Sequence, residues 1–196
     1  ISFEYFHNFS IPNNKYLNIL IPTFCLMLLL NAFNMSDGIN GLASIIFLSW
    51  SFYLIVKFPP LINTLFPLIL SVFFFLYFNL NNQTFLGDGG NYLLSMILGS
   101  IVIKLNNLEV EILFAEEIFL LFLIPGIDML RLFITRIKKK RNPFRGDRNH
   151  LHHFLLEKFG LYVSLLIYFC MINFPLYIYL LFNINLLMLI IINILI

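Results

Sequence analysis

The stretch YLNILIPTFCLMLLLNAFNMSDGINGLA, residues 16–43, carries the reading on which the fold turns. From Tyr16 to Ser36 it is largely apolar, for about the 20 residues that an α-helix needs to cross a bilayer core. It then breaks into amides, one carboxylate and two glycines before a second apolar run starts at Leu42. Long apolar helices joined by short polar turns are what a membrane bundle consists of, because lipid offers the backbone no partner except itself.

The rest of the chain repeats that pattern. Of its 196 residues 60% are hydrophobic and 11% charged, against roughly 25% charged in an ordinary soluble domain. Mean hydropathy is +0.90. Apolar runs predict helices near 16–36, 42–58, 61–80, 91–105, 112–136, 161–182 and 184–196. That is an all-α, polytopic integral membrane bundle of about seven spans, forming one domain over residues 1–196. Cys25 and Cys170 lie inside apolar runs, so neither a disulfide framework nor a cysteine metal site is expected. No signal-peptide pattern follows Ile1, and the abrupt start predicts that the beginning of the protein is missing.

Charge sets an orientation. Eight of the 12 Lys and Arg lie between Arg131 and Arg148. The preference of cations for cytoplasmic loops places the loops near 37–41, 81–90 and 137–160 on the cytoplasmic side. Glu109, Glu111, Glu116 and Glu117 then fall outside, as do Lys57 and Lys104, whose aliphatic stems would let them snorkel.

Three polar clusters stand out. In NAFNMSDGINGLA (31–43), Asn31, Asn34 and Asp37 recur every three residues on one arc of a helix, and Gly38 and Gly41 permit a close turn. A helix end with polar caps is the alternative reading of the same residues. In FLGDGGNYLL (85–94), Asp88 sits among Gly87, Gly89 and Gly90 at a helix start, suited to an anion at the amides or a hard cation at the carboxylate. A plain tight turn would also use those glycines. In RGDRNHLHHFLLEKFG (145–160), three of the 4 histidines fall within four positions. If 149–157 is helical, His150 and His153 share a face and His152 points about 100° away. Zinc needs three or four converging ligands, and Arg145, Arg148 and the KKKR run at 138–141 favour an anion instead. The KKKR run by itself reads as an anchor for anionic headgroups. Asp128, with Arg131 one turn on, reads either as a structural ion pair or as a functional acid. Alternation of the spans brings all three clusters to one membrane face, a set consistent with phosphoryl transfer.

NAFNMSDGINGLA, FLGDGGNYLL and PGIDMLRLFITRIKKKRNPFRGDRNHLHHFLLEKFG (125–160) resemble, in order, signature segments of the polyprenyl-phosphate N-acetylhexosamine-1-phosphate transferases, glycosyltransferase family 4. The NPF-x-x-DR-x-HLHH form is similar to the WecA/TagO-type branch more than to the MraY relatives. The resemblance implies transfer of a sugar-1-phosphate from a UDP-N-acetylhexosamine to polyprenyl phosphate at a bacterial inner or plasma membrane, with UMP released and a surface glycan primed. It implies Asp88 as the ligand of Mg²⁺ (or Mn²⁺), and Asp37, His150, His152 and His153 as catalytic residues. Asn34, Asn40, Arg145, Arg148 and Asp128 would contact substrate. Expected partners are those two substrates and membrane lipid, with a homodimer possible and no nucleic acid. The chain departs from the family pattern in three ways: Asn40 replaces an Asp, Asn91 replaces a Ser, and there is no adjacent Asp-Asp pair. The last departure reads as the C-terminal part of a longer enzyme. A non-catalytic membrane remnant or assembly subunit, and an ion-coupled transporter using Asp128 and Asp37, are the competing readings.

Overall fold

In a computed structural model, residues 15–106, 113–142 and 149–182 are described. Every regular element among them is helical: α1 (Lys15–Ser36), α2 (Leu42–Lys57), a 3₁₀ turn (Pro59–Leu61), α3 (Ile62–Leu80), α4 (Gly87–Asn106), α5 (Ala115–Lys138), α6 (Leu151–Phe159) and α7 (Leu161–Phe182). The all-α membrane bundle read from the sequence is what forms. Four of these helical segments are long and apolar enough to cross a membrane, Ile19–Ser36, Pro59–Leu80, Glu117–Lys138 and Leu161–Phe182, and α2 is a shorter apolar helix. The run at 184–196, Glu109 and Glu111 lie outside the described residues.

The bundle centres on α2, whose Leu42, Ile46, Phe47, Tyr53 and Leu54 are fully buried. Trp50 is the hinge of the packing, with Phe33 of α1 at 5.7 Å and Phe122 of α5 edge-on at 4.8 Å between ring centroids. Between α2 and α7 the buried contacts include a polar one: Asn173 Nδ2 donates to Ser49 Oγ at 2.9 Å. Lipid leaves such amides no water to bond, so pairing across the helices satisfies both. α3 takes the opposite role. Only 17% of its span is buried, and Phe66, Leu70, Phe73, Phe74 and Tyr77 are exposed, a surface that belongs against lipid chains.

At the end of α2 remote from the 37–41 turn, Lys57 Nζ bonds the fully buried Glu117 at 2.6 Å. Lys57 therefore does not snorkel as its sequence position suggested. A buried carboxylate without a cation costs several kcal/mol, and the nearest way to remove that cost is a cation from the neighbouring helix.

The packing makes a measurable contrast. Trp50→Ala is expected to destabilise the detergent-solubilised protein by about 3–5 kcal/mol through the cavity it leaves. Leu70→Ala, on the lipid-facing side, should change stability by no more than about 0.5 kcal/mol. Denaturant unfolding of the two variants checks the ranking.

Candidate active site

α1 stops where its side chains begin to compete with its own backbone. Ser36 Oγ returns to the Ala32 carbonyl at 2.8 Å, and the chain turns over residues 37–41. Gly41 sits at φ +87°, a left-handed conformation that costs other residues Cβ strain. Its N–H donates to the buried Asn79 Oδ1 at 2.6 Å, and Asn79 Nδ2 donates to the Thr84 carbonyl at 2.7 Å. One side chain thus fixes both the 37–41 turn and the approach to α4. Asn40 Nδ2 donates to Asn82 Oδ1 at 2.7 Å, which adds a second tie between the same two turns.

α4 begins at Gly87, so Asp88 stands exposed in its first turn and Asn91 lies one turn further, buried. Asn91 Nδ2 donates to Asp37 Oδ2 at 2.7 Å and more weakly to Asn34 Oδ1 at 3.3 Å. Asn34 in turn reaches the Tyr92 hydroxyl at 3.4 Å. Burial pushes the Asp37 carboxyl above the usual range; the Asn91 bond opposes the rise and the neighbouring Asp88 charge adds to it. Asn91 Oδ1 is buried with no hydrogen-bond partner among the described residues. Two adjacent carboxylates and an amide oxygen lacking a donor are hard oxygen ligands whose charge a divalent cation would balance.

The histidines arrange themselves differently from the helical expectation. α6 starts only at Leu151, and His150 precedes it in an extended conformation, φ −70° and ψ 150°. The cause is Asp128 of α5. Its Oδ2 lies 2.8 Å from His150 Nδ1, and its Oδ1 accepts the Leu151 N–H at 3.1 Å. A carboxylate from another helix thus caps α6 and pulls His150 out of it. His150 consequently does not share a helix face with His153. It stacks on His152, 5.3 Å between centroids and 9° between planes, and His153 tilts against His152 at 4.4 Å. Arg131 Nη2 also bonds Asp128 Oδ1, at 2.8 Å.

His152 is 1% exposed, and neither of its ring nitrogens has a hydrogen-bond partner among the described residues. Its ring fills the space above Gly38: a Cβ on Gly38 would lie 2.1 Å from His152 Nε2. That contact joins the first sequence cluster to the third, while the Asp37–Asn91 bond joins the first to the second. Asp37, Asp88, Asn34, Asp128 and the three histidines are thereby gathered at one end of the bundle. Asp128, His150 and His152 offer ligand atoms within 4.8 Å of one another. Arg131 already neutralises that carboxylate, so the group is poorly suited to a cation. Arg145 and Arg148 lie outside the described residues. Next to the histidines, Arg131, Arg136, Lys139 and Arg141 line a cavity of about 200 Å³ with Thr135 and Asn149. Lys139 and Arg141 of the KKKR run are thus among the residues that line this cavity.

The sequence profile of glycosyl transferase family 4 matches residues 1–106, more than half of the 196 residues. The chain belongs to that family. Among curated relatives, the undecaprenyl-phosphate alpha-N-acetylglucosaminyl 1-phosphate transferase of Thermotoga maritima is 33% identical over 140 residues, covering 71% of this chain and 43% of the relative. The protein of the same name from Salmonella typhi is 27% identical over 149 residues, 70% of this chain and 40% of the relative. That of Escherichia coli K12 is 27% identical over 151 residues, again 70% and 40%. The chain thus spans about two fifths of the length of these relatives. No solved structure matches it.

Two measurements probe this site. Gly38→Ala is expected to dislodge His152 and lower the thermal midpoint of the protein, whereas Gly89→Ala, whose Cβ would meet nothing within 4 Å, should leave it unchanged. The second concerns pH. Burial, helped by His153 and His150, pushes the His152 imidazole from 6.5 down to about 3. The unfolded chain therefore takes up this proton first as pH falls, and the stability tied to neutral His152 is complete above 6.5 and lost towards 3. The thermal midpoint should drop between pH 7 and about 4.5, and His152→Gln should flatten that dependence.

Proposed function

We propose that the chain forms the catalytic end of a transferase that moves N-acetylhexosamine-1-phosphate from a UDP-sugar to polyprenyl phosphate, with release of UMP. One observation carries the reading: the Gly38–His152 contact and the Asp37–Asn91 bond bring an acidic cluster and a cation–histidine cluster together at one end of a membrane bundle. Acidic oxygens and cationic donors side by side match a substrate that carries a diphosphate and a metal ion. The names of the relatives support an undecaprenyl acceptor and an N-acetylglucosaminyl group.

In this reading Asp88 and Asp37 hold Mg²⁺ beside Asn91. When bound, the ion supplies charge neutralisation for the diphosphate. Arg131, Arg136, Lys139 and Arg141 bind donor phosphate oxygens in their cavity, since guanidinium groups match phosphate in geometry and charge. His152, kept neutral by burial, offers an uncharged ring nitrogen rather than another cation. Asn34 holds the Asn91 amide in place, and Asn40 holds the turn through Asn82. The site faces the cytoplasm, where nucleotide sugars are, a side supported by the cations at 131–148. The product would prime a surface glycan.

The test uses membranes carrying the full-length protein, labelled UDP-N-acetylglucosamine or UDP-N-acetylgalactosamine, and Mg²⁺. Lipid-extractable label and UMP are expected, and Asp88→Asn should lower the rate by at least about 100-fold. Absence of both products with either donor would sink the reading.

A further inference from the structure

The resemblance places Asp128 among substrate-binding residues, but its carboxylate is already occupied. It is 7% exposed. Oδ2 faces His150 Nδ1 at 2.8 Å, and Oδ1 receives Arg131 Nη2 at 2.8 Å and the Leu151 N–H at 3.1 Å. The same Arg131 nitrogen bonds the Asn149 carbonyl. Two side chains one turn apart on α5 therefore grip three consecutive residues, Asn149, His150 and Leu151. A carboxylate this engaged has little capacity left for a ligand.

We propose that Asp128 is a positioning residue: it fixes the tautomer and ring plane of His150 and, through the stacked rings, seats His152 against Gly38. The inference rests on the transferase reading above and deepens it. An ionised carboxylate beside Arg131 can only accept, so His150 Nδ1 must carry a hydrogen, and in the neutral ring Nε2 is then the lone-pair atom. A ring oriented in this way presents the same nitrogen to substrate at each turnover. The stack then carries the constraint to His152, whose ring must lie flat enough to clear the backbone at Gly38. Free rotation of His150 would remove that support.

Asp128→Asn keeps the shape and reverses the chemistry. If its amide oxygen continues to accept from Arg131 and Leu151, its amide nitrogen faces His150 Nδ1. The ring must then shift to the Nε2–H tautomer or turn away. The experiment is ¹⁵N-histidine NMR of the full-length protein in lipid, with His150→Gln identifying the signal, alongside steady-state kinetics. In the native protein the His150 signal should report Nδ1–H, and in Asp128→Asn that signature should be lost. The variant's kcat should fall by about 100-fold or more while KM for the UDP-sugar changes less than about threefold, as expected of an interaction that matters in the transition state. Asp128→Glu should recover part of the loss. A native Nε2–H signature would overturn the proposal whether or not any variant folds. So would a variant whose KM rises at constant kcat, which would return Asp128 to the substrate ligands. The NMR readout needs no turnover, so failure of the transferase reading stays separate from failure of this one.

Discussion

A carboxylate buried in an apolar bundle has to find donors, and Asp128 finds them in a segment more than twenty residues away. That requirement fixes where α6 begins, because Leu151 gives Asp128 its N–H in place of an intrahelical partner. It fixes His150 outside the helix and in register to stack on His152. The stack then fixes what residue 38 can be, since only glycine leaves room for the His152 ring. From residue 38 the constraint passes to Asp37 and, through Asn91, to α4. Each link is a local demand for a hydrogen bond or for space, and together they assemble three segments that lie far apart along the chain.

The two ends of the bundle handle charge in contrasting ways. Lys57 and Glu117 pair directly and leave the far end closed. At the site end Asp128 pairs with Arg131, whereas Asp37 and Asp88 lie near one another, Asp37 bonded to the Asn91 amide, and the other α5 cations line their own cavity. Separated charges of opposite sign are poorly satisfied by each other and well satisfied by a metal-bound anion. Under the proposed function these groups would meet the substrate, whereas the Lys57–Glu117 pair serves the fold.

Much of this was legible in the sequence. The runs read as 16–36, 42–58, 61–80 and 161–182 match α1, α2, α3 and α7 closely, because a span in lipid must be continuous and apolar, and that is a local property. The convergence of the acidic turns and the histidines was legible too, since alternation of spans fixes which loops share a side. The start of α6 was not, because its cap comes from Asp128, 23 residues away. Nor were the roles of Asn79 and Asn91. Asn79 fell at the end of the apolar run 61–80 and Asn91 stood as a replacement for a Ser, yet the first ties two turns together and the second bonds Asp37. Polar residues in apolar surroundings were the available signal; their partners depend on tertiary contact. Arg136 was likewise hidden, counted as one cation among eight until α5 turned it towards the cavity.

The central claim is that the 37–41 turn and the HLHH segment are in direct contact. It is tested most directly by disulfide trapping. In the full-length protein, with Cys25, Cys170 and any other cysteine replaced by serine, Gly38→Cys is combined with His152→Cys and the membranes are mildly oxidised. The account predicts an intramolecular disulfide between residues 38 and 152, identified by mass spectrometry of the linked peptides. Free thiols at both positions after oxidation, in protein that is folded and inserted, would contradict it.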